Sequence, residues 1–156
     1  MSILIKNGTL VTMNSNRDII KGDLLIDGDR IIKIGQLSGE VADQIIDASD
    51  KLVIPGLIQT HVHLCQALFR GMADDLELLD WLKERIWPLE GGHDQESLYY
   101  SSLLGCAELL TGGTTSIIDM ATVHHSNSVF AAVQKAGIRY LGGKCMMDHG
   151  NNIPES

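Results

Sequence analysis

Downstream of Pro55-Gly56 the sequence alternates: an apolar run ("LIQTHVHL"), helical patterns, an apolar run ("TTSIIDMA"), a helical pattern and a third apolar run ("IRYLGGKCMM"). Strands separated by helices need crossover connections, so this order predicts a parallel sheet of an α/β protein. The first helical stretch, "ADDLELLDWLKERIWPLE", repeats Leu76, Leu79, Trp81, Leu82 and Ile86 at helical spacing and is expected to stop at Pro88. The second, "DQESLYYSSLLGCAELLTGG", opens with acidic residues and ends at Gly112-Gly113; the third, "HSNSVFAAVQKAG", ends at Gly137. Upstream, residues 1–55 are rich in β signals. Asn7-Gly8 and Asp27-Gly28 each sit between apolar stretches and predict tight hairpins, and "QIIDASDKLVIPG" adds two short strands. The expected layout is a small antiparallel sheet or sandwich over 1–55, then three parallel strands with their helices over 56–156. A closed eight-stranded barrel needs about 250 residues. The chain is therefore expected to be incomplete, either as a piece of a longer polypeptide or as one completed by another chain.

Composition narrows the function classes. The formal charge is −8 and the pI near 5.0, with no cluster of Lys and Arg able to track a phosphate backbone, which argues against a nucleic-acid partner. Neither a signal peptide nor a membrane span is recognisable, and three widely spaced cysteines (Cys65, Cys106, Cys145) without a C-x-x-C fit a reducing compartment. A cytoplasmic protein without membrane contact is expected. No Gly-rich loop followed by Lys-Ser/Thr supports phosphate binding.

Two of the six histidines, His61 and His63, stand one residue apart at the end of the first apolar run. Residues i and i+2 of a strand point to one face, so the two imidazoles can grip one ion as neutral nitrogen donors of the kind zinc or iron accepts. An H-x-H pair on a sheet face is also compatible with two solvated or hydrogen-bonded histidines. Cys65 continues the same alternation but reads as a small packing residue.

A Pro-Gly before an apolar strand, an H-x-H at its end, a β-rich segment in front and "GGTTSIIDM" downstream together resemble the amidohydrolase superfamily. The resemblance implies an N-terminal part of a (β/α)8 TIM-type barrel, preceded by a β-sandwich segment that a C-terminus normally completes. It makes His61 and His63 the first two ligands of one divalent metal, zinc or iron. "HVHLCQALFRGMADDLELLDWLKERIWPLE" is similar to the deaminases of adenosines modified at the 5′ position, and "GKCMMDHGNNIPES" resembles the same group and its chlorohydrolase relatives. The implied reaction is hydrolytic deamination at purine C6 of a small nucleoside, with Glu90 of "WPLE" holding the ribose hydroxyls. Without the resemblance Glu90 reads as a solvated residue after a proline. Lys144 and His125 (or its neighbour His124) are further substrate-side candidates, against plain readings as a strand-end lysine and polar loop residues. The remaining metal ligands and the proton shuttle belong to later strands of the family. No catalytic residue is thus expected within this chain, which alone would be inactive; a homo-oligomer or a complementing chain is a possible setting. Competing readings are a chlorohydrolase, a guanine or other nucleobase deaminase, and a non-catalytic binding or scaffold protein. His93 and His149 read as surface residues, and Trp81, Trp87, Tyr99 and Tyr100 as helix packing.

Overall fold

The computed structural model of the chain describes residues 1–72 and 75–147. They divide into two compact units, the first Met1–Pro55 and the second beginning at Gly56.

The first unit is a five-stranded sheet of β1 (Ser2–Val11), β2 (Ile19–Asp27), β3 (Arg30–Gly35), β4 (Gln44–Asp47) and β5 (Leu52–Val53). Its order is β3-β2-β1-β4, with β5 also on β1. The β2–β3 hairpin forms where Asp-Gly predicts it: Asp27 pairs with Arg30, and Gly28 takes the positive φ (+59°) that such a turn requires. Asn7-Gly8 makes no hairpin. It lies inside β1 as a bulge, where the register against β2 slips between Ile5 and Gly8 and Asn7 takes φ +63°. The side chain of Asp23 on β2 stabilises it, accepting the Asn7 N–H at 2.8 Å and the Leu37 N–H at 3.0 Å. A second correction concerns direction. β4 and β5 run parallel to β1, so the sheet is mixed rather than antiparallel. Hairpin turns reveal only neighbours in sequence, whereas β4 reaches β1 across some 40 residues of chain.

The second unit carries a parallel sheet, β6 (Leu57–Val62), β7 (Thr114–Met120) and β8 (Arg139–Gly143), in the order β6-β7-β8. A 3₁₀ helix, Leu64–Phe69, follows β6 directly. Then come α1 (Leu78–Trp81), a π-helical turn (Leu82–Ile86), α2 (Trp87–Gly91), α3 (Gln95–Thr111) and α4 (Ser126–Ala136). Pro88 does not end the helix. The wide turn closes with the Trp87 N–H on the Leu82 carbonyl, so Pro88 falls in the first turn of α2, where its missing N–H costs nothing. α3 starts where its acidic first turn predicts. Asp94 accepts the Ser97 N–H at 2.7 Å while Ser97 Oγ accepts the Asp94 N–H, a reciprocal cap.

α3 and α4 contact each other and the sheet, and the core between them contains Leu64, Leu98, Cys106, Ile117, Val129 and Ile138, each 5% exposed or less. Burying such a side chain stabilises by roughly 1.5–3 kcal/mol. Along β7, Ile117 and Asp119 are buried on this side, whereas Ile118 and Met120 stand exposed on the other, with Ile58 of β6 and Leu141 of β8. Among the described residues no helix is long and apolar enough to cross a membrane.

Candidate functional site

His61 is the penultimate residue of β6 and His63 the first beyond it. Val62, between them, packs toward the core, which puts both imidazoles on the opposite side. The β6–β7 register slips between Gln59 and Val62, a bulge that aims the strand end. His63 Nδ1 lies 3.2 Å from the Met120 carbonyl. A carbonyl only accepts, so Nδ1 carries the proton and Nε2 presents a lone pair. That atom is 3.1 Å from His61 Nε2, within hydrogen-bond distance, so without an ion the His61 Nε2–H donates to it. Two nitrogens on a tetrahedral zinc at 2.0–2.1 Å are about 3.3–3.4 Å apart, so the donor pair converges at nearly the separation one ion requires. Among the described residues no group of three or more His, Cys, Asp or Glu converges on one point.

The hollow beside this pair is formed by the C-terminal ends of all three strands and includes His61, His63, Asp119, Met120 and Lys144. Lys144 therefore does come near the histidines. It also borders a second groove, which holds His124 and His125 together with Tyr99 and Phe130 and includes neither His61 nor His63. His125 is exposed and takes φ +57° at the start of α4 without capping it.

Glu90 lies half-buried at the end of α2 and reaches the end of β6. Its Oε1 accepts Gln66 Nε2 at 2.9 Å and the Cys65 thiol at 3.3 Å. Among the described residues its Oε2 takes no hydrogen bond. Cys65 is fully buried, and burial followed by the Glu90 charge pushes its thiol far above the ordinary range. It is a packing residue and hydrogen-bond donor, without nucleophilic character.

Sequence reasoning missed three residues that pack around these candidates. Gln66 orients Glu90. His93, expected at the surface, is buried: its Nε2 meets the Cys65 carbonyl at 2.8 Å, its Nδ1 meets Ser97 Oγ at 3.0 Å, and it stacks on Phe69. Both ring nitrogens are used to join the 3₁₀ helix to α3. Asp119 is 3% exposed and bonded to Leu64 N–H and Tyr140 O–H; a lone acid in the apolar run "SIIDM" was its signal. His149 lies outside the described residues. Trp81, Trp87 and Tyr99 are partly buried as packing predicts, while Tyr100 is exposed and touches Tyr99 edge-on.

The sequence model of the amidohydrolase family matches residues 52–155, most of the chain. The chain belongs to the amidohydrolase family. The chain is 41% identical over 138 residues to a 5′-deoxyadenosine deaminase of Methanosarcina barkeri, covering 88% of the chain and 32% of the relative. It is 39% identical over all of its length to a 5-methylthioadenosine/S-adenosylhomocysteine deaminase of Thermococcus sibiricus, of which it covers 36%. Among solved structures, the guanine deaminase of E. coli superposes with a TM-score of 0.81 at 26% identity, over 98% of this chain and 40% of that one. The chain spans about a third of the length of the curated relatives it matches.

Proposed function

We propose that β6, β7 and β8 are the first three strands of an eight-stranded barrel, and that the polypeptide carrying them is a metal-dependent hydrolytic deaminase of 5′-modified adenosines. What supports this most is the convergence of His61 Nε2 and His63 Nε2 at the C-terminal end of β6, the end at which sites on barrels of this kind lie. The exposed apolar row Ile58, Ile118, Met120 and Leu141 suits the interior of such a barrel. The names of the most similar relatives favour the nucleoside substrate.

In this reading His61 and His63 hold one divalent ion, zinc or iron, with further ligands from strands beyond this chain. When bound, such an ion would supply Lewis acidity for hydrolysis at purine C6. His63 keeps its Nε2 lone pair available because the Met120 carbonyl holds the Nδ1 proton. Glu90 accepts two adjacent ribose hydroxyls in charge-assisted hydrogen bonds, a contact that a free base cannot make. Gln66 keeps that carboxylate facing the end of β6. Lys144 borders the same hollow and offers a positive charge to the substrate.

The test uses the complete polypeptide. It should purify with about one equivalent of zinc or iron, release ammonia from 5′-deoxyadenosine, methylthioadenosine or S-adenosylhomocysteine, and lose metal and activity together in His63→Ala. Glu90→Gln should lower kcat/KM for nucleosides at least ~10-fold, the weight of one charge-assisted hydrogen bond, and leave free adenine unaffected. Absence of bound metal, or guanine turned over in preference to every adenosine, would refute the proposal.

A further inference from the structure

We propose that Asp119 is the positioning residue of the histidine pair, acting with Tyr140 as a strut that fixes the end of β6; the inference rests on reading His61 and His63 as metal ligands.

One carboxylate connects three neighbouring strands, β7 to the residue after His63 and to the start of β8. Asp119 belongs to β7. Its Oδ1 accepts the N–H of Leu64, the residue after His63, at 2.9 Å, and its Oδ2 accepts the Tyr140 hydroxyl of β8 at 3.0 Å. The residue beside it, Met120, supplies the carbonyl that holds the His63 ring. His63 is thus fixed twice from β7, through its ring and through the peptide that follows it. The second contact is needed because the β6–β7 register slips between Gln59 and Val62, the stretch that carries His61.

Gly142 protects the strut. A Cβ at this position would lie 2.4 Å from the Tyr140 hydroxyl and 2.7 Å from the Asp119 carbonyl oxygen, so only glycine leaves the phenol its path to Asp119.

Charge points the same way. A buried carboxylate is costly without a cation, and among the described residues no Lys or Arg forms an ion pair with Asp119. Two neutral hydrogen-bond donors orient the group without neutralising it. A divalent ion at the adjacent pair would supply the missing positive charge, and the carboxylate would in turn favour the ion.

The experiment measures Zn²⁺ affinity of the complete polypeptide by chelator competition, the visible spectrum of its Co²⁺ form, and the thermal midpoint of the metal-free form. Asp119→Asn keeps an oxygen for the Leu64 N–H and removes the charge. It should weaken Zn²⁺ binding by ~10–100-fold, the usual effect of losing a group that orients metal ligands, and alter the Co²⁺ bands. The metal-free midpoint should stay at or above that of the parent, because a buried charge has gone; a merely structural role would lower the midpoint and leave affinity intact. Tyr140→Phe, which preserves the ring, should weaken Zn²⁺ binding in the same direction and serves if the first variant does not fold. Unchanged affinity in either folded variant, while His63→Ala loses the metal, would overturn the strut. Wild-type affinity in His63→Ala would instead overturn the ligand reading, and this inference with it.

Discussion

Replacing Asp23 by Asn probes how the first unit maintains its bulge. Asp23 is 5% exposed and accepts two backbone N–H groups, at 2.8 and 3.0 Å, from Asn7 and Leu37. Asparagine keeps one acceptor oxygen and turns an NH₂ toward the other amide, so one charge-assisted bond is lost and two donors face each other. A hydrogen bond to a charged group contributes ~1.5–3 kcal/mol. Because both amides are only partly buried, the expected loss at pH 7 is about 2 kcal/mol. The pH dependence follows from the same contacts. The two backbone N–H groups hold the Asp23 carboxyl below its ordinary value of 3.8. The stability this provides is therefore complete above pH 3.8 and is lost as pH falls through the depressed value. Urea unfolding of both proteins should show a gap that is full at pH 7 and narrows below pH 3.8, with faster amide exchange at Asn7 and Leu37 in the variant. A difference within about 0.5 kcal/mol at pH 7, the range of an ordinary surface change, would refute the argument, as would a gap indifferent to acid.

Two further perturbations test the second unit. Leu98→Ala empties a site on α3 that is fully buried in the core and should cost ~3–4 kcal/mol in chemical unfolding. Gly137 ends α4 at φ +74° with its N–H on the Val133 carbonyl, so Gly137→Ala should lower stability by ~1–2 kcal/mol in the same assay.

The histidine pair was legible because its signal is local: a two-residue period at the end of an apolar run is enough to put both rings on one face. The limits of α3 were legible for the same reason, since Asp94 and Gly112 act on their own backbone. What escaped depends on partners distant in sequence. Asn7-Gly8 has a hairpin's composition and becomes a bulge because Asp23 stabilises it from 16 residues away. The parallel seating of β4 and β5 on β1 is decided by register across the sheet. His93 looks like a loop histidine until the 3₁₀ helix and α3 close on it. Asp119 reads as one acid in an apolar strand, and its bond to Tyr140 exists only once α4 has carried the chain back to the sheet.

The register slip in β6 also bears on motion. Where the ladder skips between Gln59 and Val62, the strand end is stiffened less by its own pairing than by contacts from β7. Local opening of a sheet starts where the ladder is weakest, so this seam is the place at which the edge can breathe without unfolding the core behind it. His61 lies inside that seam and His63 just past it, so an ion gripped by both rings would tie the slipped stretch to the end that β7 anchors.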